Sequence, residues 1–275
     1  AMSDVCIDNG IVTLSGATPT GGTYSGTGVT GTSFDPSVSG AGTHTLKYIY
    51  TDGNTCTDSA TQTITVNGLP TVSLSNYSDI CAGAPKLTLT GGTPAGGTYT
   101  GTGVSSGEFD PSVAGVGTHK IFYSYTDGNS CQNQDSATIT VNAQPTVTFS
   151  ALSSVCAGAP NVTLTGGSPA GGTYSGTGVS GGQFDPGTAG AGTYSLTYTY
   201  TDGNSCTDSA SQNITVHAQP TVSFPAMSDV CIDNGIVTLS GATPAGGSYS
   251  GTGVTGTSFD PSVSGAGTHT LKYIY

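Results

Sequence analysis

The sequence predicts an all-β chain, a tandem array of small two-sheet sandwiches repeating every 75 residues. Three observations carry this expectation. Cys6, Cys81, Cys156 and Cys231 stand 75 residues apart, as do Cys56, Cys131 and Cys206. The same step carries Phe34-Asp35-Pro36 onto Phe109-Asp110-Pro111, Phe184-Asp185-Pro186 and Phe259-Asp260-Pro261 without an insertion. Between these landmarks Val, Ile, Leu and Tyr alternate with Thr and Ser in short runs bounded by Gly and Pro, the pattern of half-buried strands and their turns.

The period divides the chain into four repeats, at 1–68, 69–143, 144–218 and 219–275. In the second repeat an opening strand runs over Pro70–Leu74, and a loop with Asp79, Cys81, Gly83 and Pro85 follows. Leu87 and Leu89 mark the next strand, Gly91–Gly97 a turn, and Thr98–Thr100 a third strand. Phe109-Asp110-Pro111 reads as a short edge segment or turn, because proline cannot donate to a central ladder. His119–Tyr125 is the strongest strand, and Asp127-Gly128-Asn129 turns it into a last strand ending at Val141. A period of two points Leu46, Tyr48 and Tyr50 inward, with Ile121, Tyr123 and Tyr125, and Leu196, Tyr198 and Tyr200. Ile64 and Val66 also face in, while Thr61, Thr63 and Thr65 face water. One apolar face per strand requires a second sheet to cover it. A coil of stacked parallel strands is the rival fold, but no sub-period of 20 to 30 residues appears. Short junctions such as Gly68-Leu69-Pro70 favour a semi-rigid rod.

The 275 residues include 44 Gly and no Trp, only 7% are charged, and the net charge is −12. That balance argues against nucleic acid or an anionic membrane as partner. No apolar run is long enough for a membrane span. Residues 226–275 repeat residues 1–50 except that Ala245 stands where Thr20 does and Ser248 where Thr23 does. The first repeat lacks a counterpart of Thr221-Val222-Ser223-Phe224 and the fourth stops at the counterpart of Tyr50. The expectation is a window on a longer array.

Seven cysteines leave one unpaired. One scheme closes each repeat on itself, Cys6–Cys56, Cys81–Cys131 and Cys156–Cys206, with the partner of Cys231 beyond the window. It stabilises a small unit by roughly 4 kcal/mol in the chain-entropy account and is favoured. The other joins neighbours as Cys56–Cys81, Cys131–Cys156 and Cys206–Cys231. Either places the chain outside the reducing cytosol.

Candidate chemistry is sparse. Gly26-Thr27-Gly28-Val29-Thr30-Gly31 matches a phosphate-loop pattern, but no helix pattern or lysine follows, so it reads as a glycine-rich bend. His44, His119 and His269 share a position that holds Tyr194 in the third repeat, which argues against a ligand or general base and for exposed residues at the start of a strand. Asp52, Asn54 and Asp58 flank Cys56, with Asp127 and Asn129, and Asp202, Asn204 and Asp208, in the next repeats. Oxygen ligands so spaced can hold Ca²⁺, and the same residues build tight turns for backbone reasons. No Ser–His–Asp or paired-carboxylate set recurs, so no enzyme is expected.

The string GGTYSGTGV, FDP, and AGAGTHTLKYIYTDGNTCTDSATQTITV resembles the immunoglobulin-like and PKD-like repeats of very large secreted adhesins of Bacteroidetes-type bacteria. The resemblance implies an immunoglobulin-like sandwich in each repeat, a type IX secreted surface protein of the gliding-motility-adhesin kind, and no cofactor. It implies a structural stalk or filament, possessing an unknown surface or glycan ligand and able to self-associate. A glycan-binding module or a spacer in a secreted glycan-degrading enzyme is the alternative. It also implies O-glycosylation at Asp-Ser-Ala, which places sugars on Ser59, Ser136 and Ser209.

Overall fold

The computed structural model describes residues 2–275. They divide into two compact units, 2–145 with Asp202–Cys206, and Thr146–Thr201 with Thr207–Tyr275. Within the second repeat the long hairpin Gly117–Thr126 and Gln132–Asn142 pairs residue for residue, from Gly117 opposite Val141 to Thr126 opposite Gln132. Thr98–Gly101 adds to one side of it, antiparallel. Ile80–Cys81 adds to the other side, parallel, with Ile80 opposite Val141 and Cys81 opposite Asn142. A second layer covers the inner face: Leu87–Thr88, Glu108–Phe109 and Val104–Ser105 form one small sheet, and Gly92–Thr93 with Ser73–Leu74 another. The fold is therefore all-β, a tandem series of two-layer sandwiches.

Period-two alternation places the core. In the second repeat Leu74, Leu89, Phe109, Ile121, Tyr123, Ala137, Ile139 and Val141 form one buried cluster. The third repeat buries Phe149, Leu164, Phe184, Leu196, Tyr198, Ile214 and Val216, and the first Leu14, Phe34, Leu46, Ile64 and Val66. The three phenylalanines of Phe-Asp-Pro at 34, 109 and 184 have no exposed surface. Tyr50, Tyr125 and Tyr200, further out towards the hairpin tip, are half-buried.

Phe-Asp-Pro is a strand end followed by a helical turn, which corrects the reading as an edge segment or turn. Pro111–Ala114 is helical, with Asp110 as N-cap and proline in the first turn. The Asp110 Oδ1 accepts from the Ser112 N–H at 3.0 Å and from the Ser112 hydroxyl at 2.5 Å. These bonds hold the Asp110 carboxyl below its usual range, the Ser112 hydroxyl contributing most, and Asp35, Asp185 and Asp260 are lowered in the same way by Ser37, Thr188 and Ser262. A depressed carboxylate contributes stability at neutral pH that is lost as pH falls below about 4 and through the folded-state value. Replacing all four aspartates with asparagine, which still caps, should flatten the acid limb of a Tm-against-pH curve; an unchanged limb contradicts this.

The histidines are half-buried, not exposed. His44, His119 and His269 meet the carbonyls of Gly40, Gly115 and Gly265 at 2.8, 2.8 and 2.9 Å, closing the helical turn. The Tyr194 hydroxyl donates to the Ala189 carbonyl, one residue earlier in the same turn, which explains how Tyr and His interchange there.

Ser106 has φ 52°, where Gly31, Gly181 and Gly256 of the other repeats have 61°, 56° and 61°. A Cβ is strained in that left-handed region. Ser106→Gly should raise stability by about 1 kcal/mol in urea unfolding, offset in part by the chain entropy of glycine; a loss of stability contradicts it.

Candidate functional site: hairpin tips and cysteine bridges

The chemistry of this chain gathers at the tips of the long hairpins. Each tip is set by one aspartate. The Asp127 Oδ1 accepts from the N–H groups of Asn129 and Cys131, both at 2.9 Å. Asp52 does the same for Asn54 and Cys56, and Asp202 for Asn204 and Cys206. The backbone bonds to Cys56 and Asn54 draw the Asp52 carboxyl below its ordinary range. The residue before each cysteine, Thr55, Ser130 or Ser205, takes a left-handed φ of 67°, 64° or 64°. The tip thus presents its cysteine at the end of the hairpin.

The bridges run from the first cysteine of one repeat to the second cysteine of the next. Cys6 is bonded to Cys131 and Cys81 to Cys206, each 125 residues apart. This corrects the pairs Cys6–Cys56, Cys81–Cys131 and Cys156–Cys206, and the neighbouring scheme with them. The reason is geometric. Cys81 lies beside Asn142, at the end of the last strand, whereas Cys131 precedes Gln132 at its start. That strand has 11 residues. At about 3.3 Å per residue its ends are roughly 33 Å apart, and a disulfide needs Cα atoms within about 7 Å. Cys6 beside Asn67 and Cys156 beside His217 are separated from the Cys56 and Cys206 tips in the same manner. The same strand, Thr57–Asn67, carries the chain from the Cys56 tip towards the second repeat, so Cys56 also lies a strand's length from the junction. Cys131 and Cys206 have no exposed surface, while Cys56, Cys156 and Cys231 are unbonded and exposed.

The candidate calcium residues do not converge. The Asp52, Asp127 and Asp202 carboxylates serve their own turns, and the Asp58 and Asp208 Oδ1 atoms accept from the next residues, Ser59 and Ser209, at 2.8 Å. The Asn133 amide, at the matching place, donates instead to the Pro70 carbonyl at 2.9 Å. Among the described residues no group of three or more His, Cys, Asp or Glu side chains could hold a metal ion. With the carboxylates engaged in their own turns, neither added Ca²⁺ nor EDTA should move the Tm; a calcium-dependent rise contradicts this.

Ser59, Ser136 and Ser209 all lie on the face opposite the buried Ile64, Ile139 and Ile214. Ser59 and Ser209 are exposed, and Ser136, opposite Phe122, is half-buried. The two-residue offset of Asp135 has a role that sequence reasoning missed: its Oδ2 accepts from the Leu74 N–H at 2.8 Å and fastens the opening strand. In the third repeat the Gln212 Nε2 takes over, donating to the Phe149 carbonyl at 2.9 Å. Gly26, Gly28 and Gly31 form a bend between strands, with Gly28 against the Asp35 carbonyl.

A second recurring device is a tyrosine clamp. The Tyr123 hydroxyl donates to the Pro94 carbonyl at 2.6 Å and accepts from the Gly97 N–H at 2.7 Å. Tyr48, Tyr198 and Tyr273 make the same pair of bonds. Burial pushes the nearby Tyr77 phenol up to about 12, with Tyr99 adding to it.

These features define a disulfide-linked tandem β-sandwich chain. No known protein-family profile matches it, and no curated protein matches it in sequence. Among solved structures it is similar to a Ca²⁺-stabilised adhesin that helps an Antarctic bacterium bind ice, at 17% identity and TM-score 0.35, over 90% of this chain and 81% of that one. It is also similar to the insect immune protein hemolin, at 14% identity and TM-score 0.24, over 63% of this chain and 56% of that one. A third is the SGBP-B protein of a Bacteroides ovatus mixed-linkage glucan utilisation locus, at 16% identity and TM-score 0.19, over 86% of this chain and 72% of that one. At these identities the likeness bears at most on fold. Among the described residues no helix is long and apolar enough to cross a membrane.

Proposed function

We propose that this chain is a tension-carrying stalk or filament segment of a bacterial surface adhesin, working in an oxidising extracellular compartment and catalysing no reaction. The observation that carries the reading is the pair of bridges joining successive repeats, Cys6–Cys131 and Cys81–Cys206. A bridge within a repeat stabilises only that repeat. A bridge to the next one sets a covalent limit on how far the chain extends when repeats open. Disulfides of this kind persist outside reducing compartments. The fixed 75-residue step without insertions fits a spacer, since length is gained by copying one unit. The outward serines Ser59, Ser136 and Ser209 are the sites where O-linked sugars would cover the outer face of the long hairpins, and a type IX secreted, gliding-motility-type adhesin of Bacteroidetes is the particular context the motifs favour.

Pulling the chain from its two ends tests the reading. With both bridges formed, full unfolding should release less than half the contour length that the reduced chain releases, because the bonds short-circuit residues 7–130 and 82–205 in overlapping loops. Equal lengths before and after reduction would sink the stalk reading.

A further inference from the structure

The loop after the first cysteine of each repeat keeps one shape and carries two chemistries. In the first and fourth repeats it reads Cys6-Ile7-Asp8-Asn9-Gly10 and Cys231-Ile232-Asp233-Asn234-Gly235. In the second and third it reads Cys81-Ala82-Gly83-Ala84-Pro85 and Cys156-Ala157-Gly158-Ala159-Pro160. The N–H groups of Asn9, Ala84, Ala159 and Asn234 each donate to the cysteine carbonyl of their own loop at 3.0 Å. Asn9, Gly10, Asn234 and Gly235 are exposed. Pro85 and Pro160, at the place of Gly10, are exposed too, so the loop faces water in every repeat.

An asparagine before glycine is chemically labile, because glycine lets the main chain fold back onto the side-chain amide. Asn9-Gly10 lies between the strands Val5–Cys6 and Val12–Thr13, outside any ladder. A Cβ at Gly10 or Gly235 would meet nothing within 4 Å, so neither turn is packed against a neighbour. The Gly10 N–H has no protein acceptor among the described residues, and the Gly235 N–H makes one bond, to the nearby Asp233 carbonyl at 3.1 Å. The third Asn-Gly pair, Asn67-Gly68, is held differently. Asn67 ends the strand Thr57–Asn67, is half-buried opposite Cys6, and its carbonyl accepts from the Ile7 N–H at 2.9 Å. The extended backbone of a strand turns the following nitrogen away from the side-chain carbon.

We propose that Asn9 and Asn234 are self-modification sites, each deamidating through a cyclic imide to aspartate and isoaspartate, while its strand protects Asn67. The Gly10 nitrogen gives up its proton and attacks Cγ of Asn9. The bond from Cγ to the side-chain nitrogen breaks, and that nitrogen takes a proton and leaves as ammonia. Water then opens the ring. Opening at Cγ yields aspartate; opening at the main-chain carbonyl yields isoaspartate. One water is consumed, one ammonia is released, and nothing is oxidised or reduced. Ala-Pro in the second and third repeats has neither the side-chain amide nor the N–H, so those loops are inert. Each conversion adds negative charge to a chain already at −12. At Asn9 the isoaspartate form also lengthens the main chain close to Cys6, which anchors the bridge to Cys131. The proposal does not rest on the adhesin reading.

The test is peptide mapping of the full oxidised chain after timed incubation at neutral and at mildly alkaline pH. Electron-transfer fragmentation separates aspartate from isoaspartate. The peptides holding Asn9 and Asn234 should each gain the amide-to-acid mass difference, faster at the higher pH because the attacking nitrogen must first lose its proton. In the folded chain Asn67 should convert at least about tenfold more slowly than Asn9, since its strand end must fray before the ring can close. In urea all three should convert at similar rates. Gly10→Ala, which places a methyl group in open space, should slow Asn9 several-fold and leave the fold intact. Asn9 that stays an amide in the folded chain while converting in urea overturns the proposal. So do equal rates at Asn9 and Asn67 in the folded chain, or conversion of Asn9 that Gly10→Ala leaves unchanged, which would point to direct hydrolysis of the amide.

Discussion

Replacing Cys6 and Cys131 together with serine should destabilise the first compact unit by up to about 5 kcal/mol, the largest single loss expected in this chain. The bridge closes a loop of 125 residues, and in the chain-entropy account such a loop constrains the unfolded state by about that much. The overlapping Cys81–Cys206 loop already restricts part of the same segment, so the two losses are not additive. Denaturant unfolding of the double variant, with Cys156→Ser as a control at an unbonded exposed thiol, measures the effect. The control should sit within about 0.5 kcal/mol of the parent. A double variant as stable as the control would show that the bridge does not form.

Phe184→Ala should cost about 3–5 kcal/mol, because the ring has no exposed surface and its removal leaves a cavity among Leu164, Leu196, Ile214 and Val216. The ring also packs against Tyr194 at 6.4 Å between centroids, so the loss should loosen the tyrosine that closes the helical turn. Phe184 lies in the second compact unit, and the Cys6–Cys131 bridge joins two cysteines of the first. Reduction should therefore shift the unfolding of the Cys6–Cys131 unit while leaving most of the Phe184→Ala deficit in place. If both changes move one common transition by the same amount, the two units do not unfold separately.

Much of the fold was legible because it is written locally. Alternation placed Leu46, Ile121 and Leu196 in the core and found the long hairpins, since a strand's two faces follow directly from odd and even positions. The helical turn after Phe-Asp-Pro was also written locally: Asp110 before Pro111 is an N-cap followed by a first-turn proline. Read only as a bar to strand pairing, the proline concealed it. The bridges were not legible. Their partners depend on the parallel pairing of Ile80–Cys81 with Val141–Asn142, and a two-residue strand leaves no periodic signal. Equal spacing within a repeat made the closed-loop scheme attractive, yet it put the two sulfurs at opposite ends of one long strand. The role of Asp135 was hidden for a related reason, because the Leu74 N–H it accepts from lies 61 residues away.

Mass mapping of the non-reduced, protease-digested chain tests the cross-repeat linkage most directly. The structure predicts one linked peptide pair holding Cys6 with Cys131, another holding Cys81 with Cys206, and free thiols at Cys56, Cys156 and Cys231. Recovery of Cys6 linked to Cys56, or Cys81 to Cys131, would contradict it.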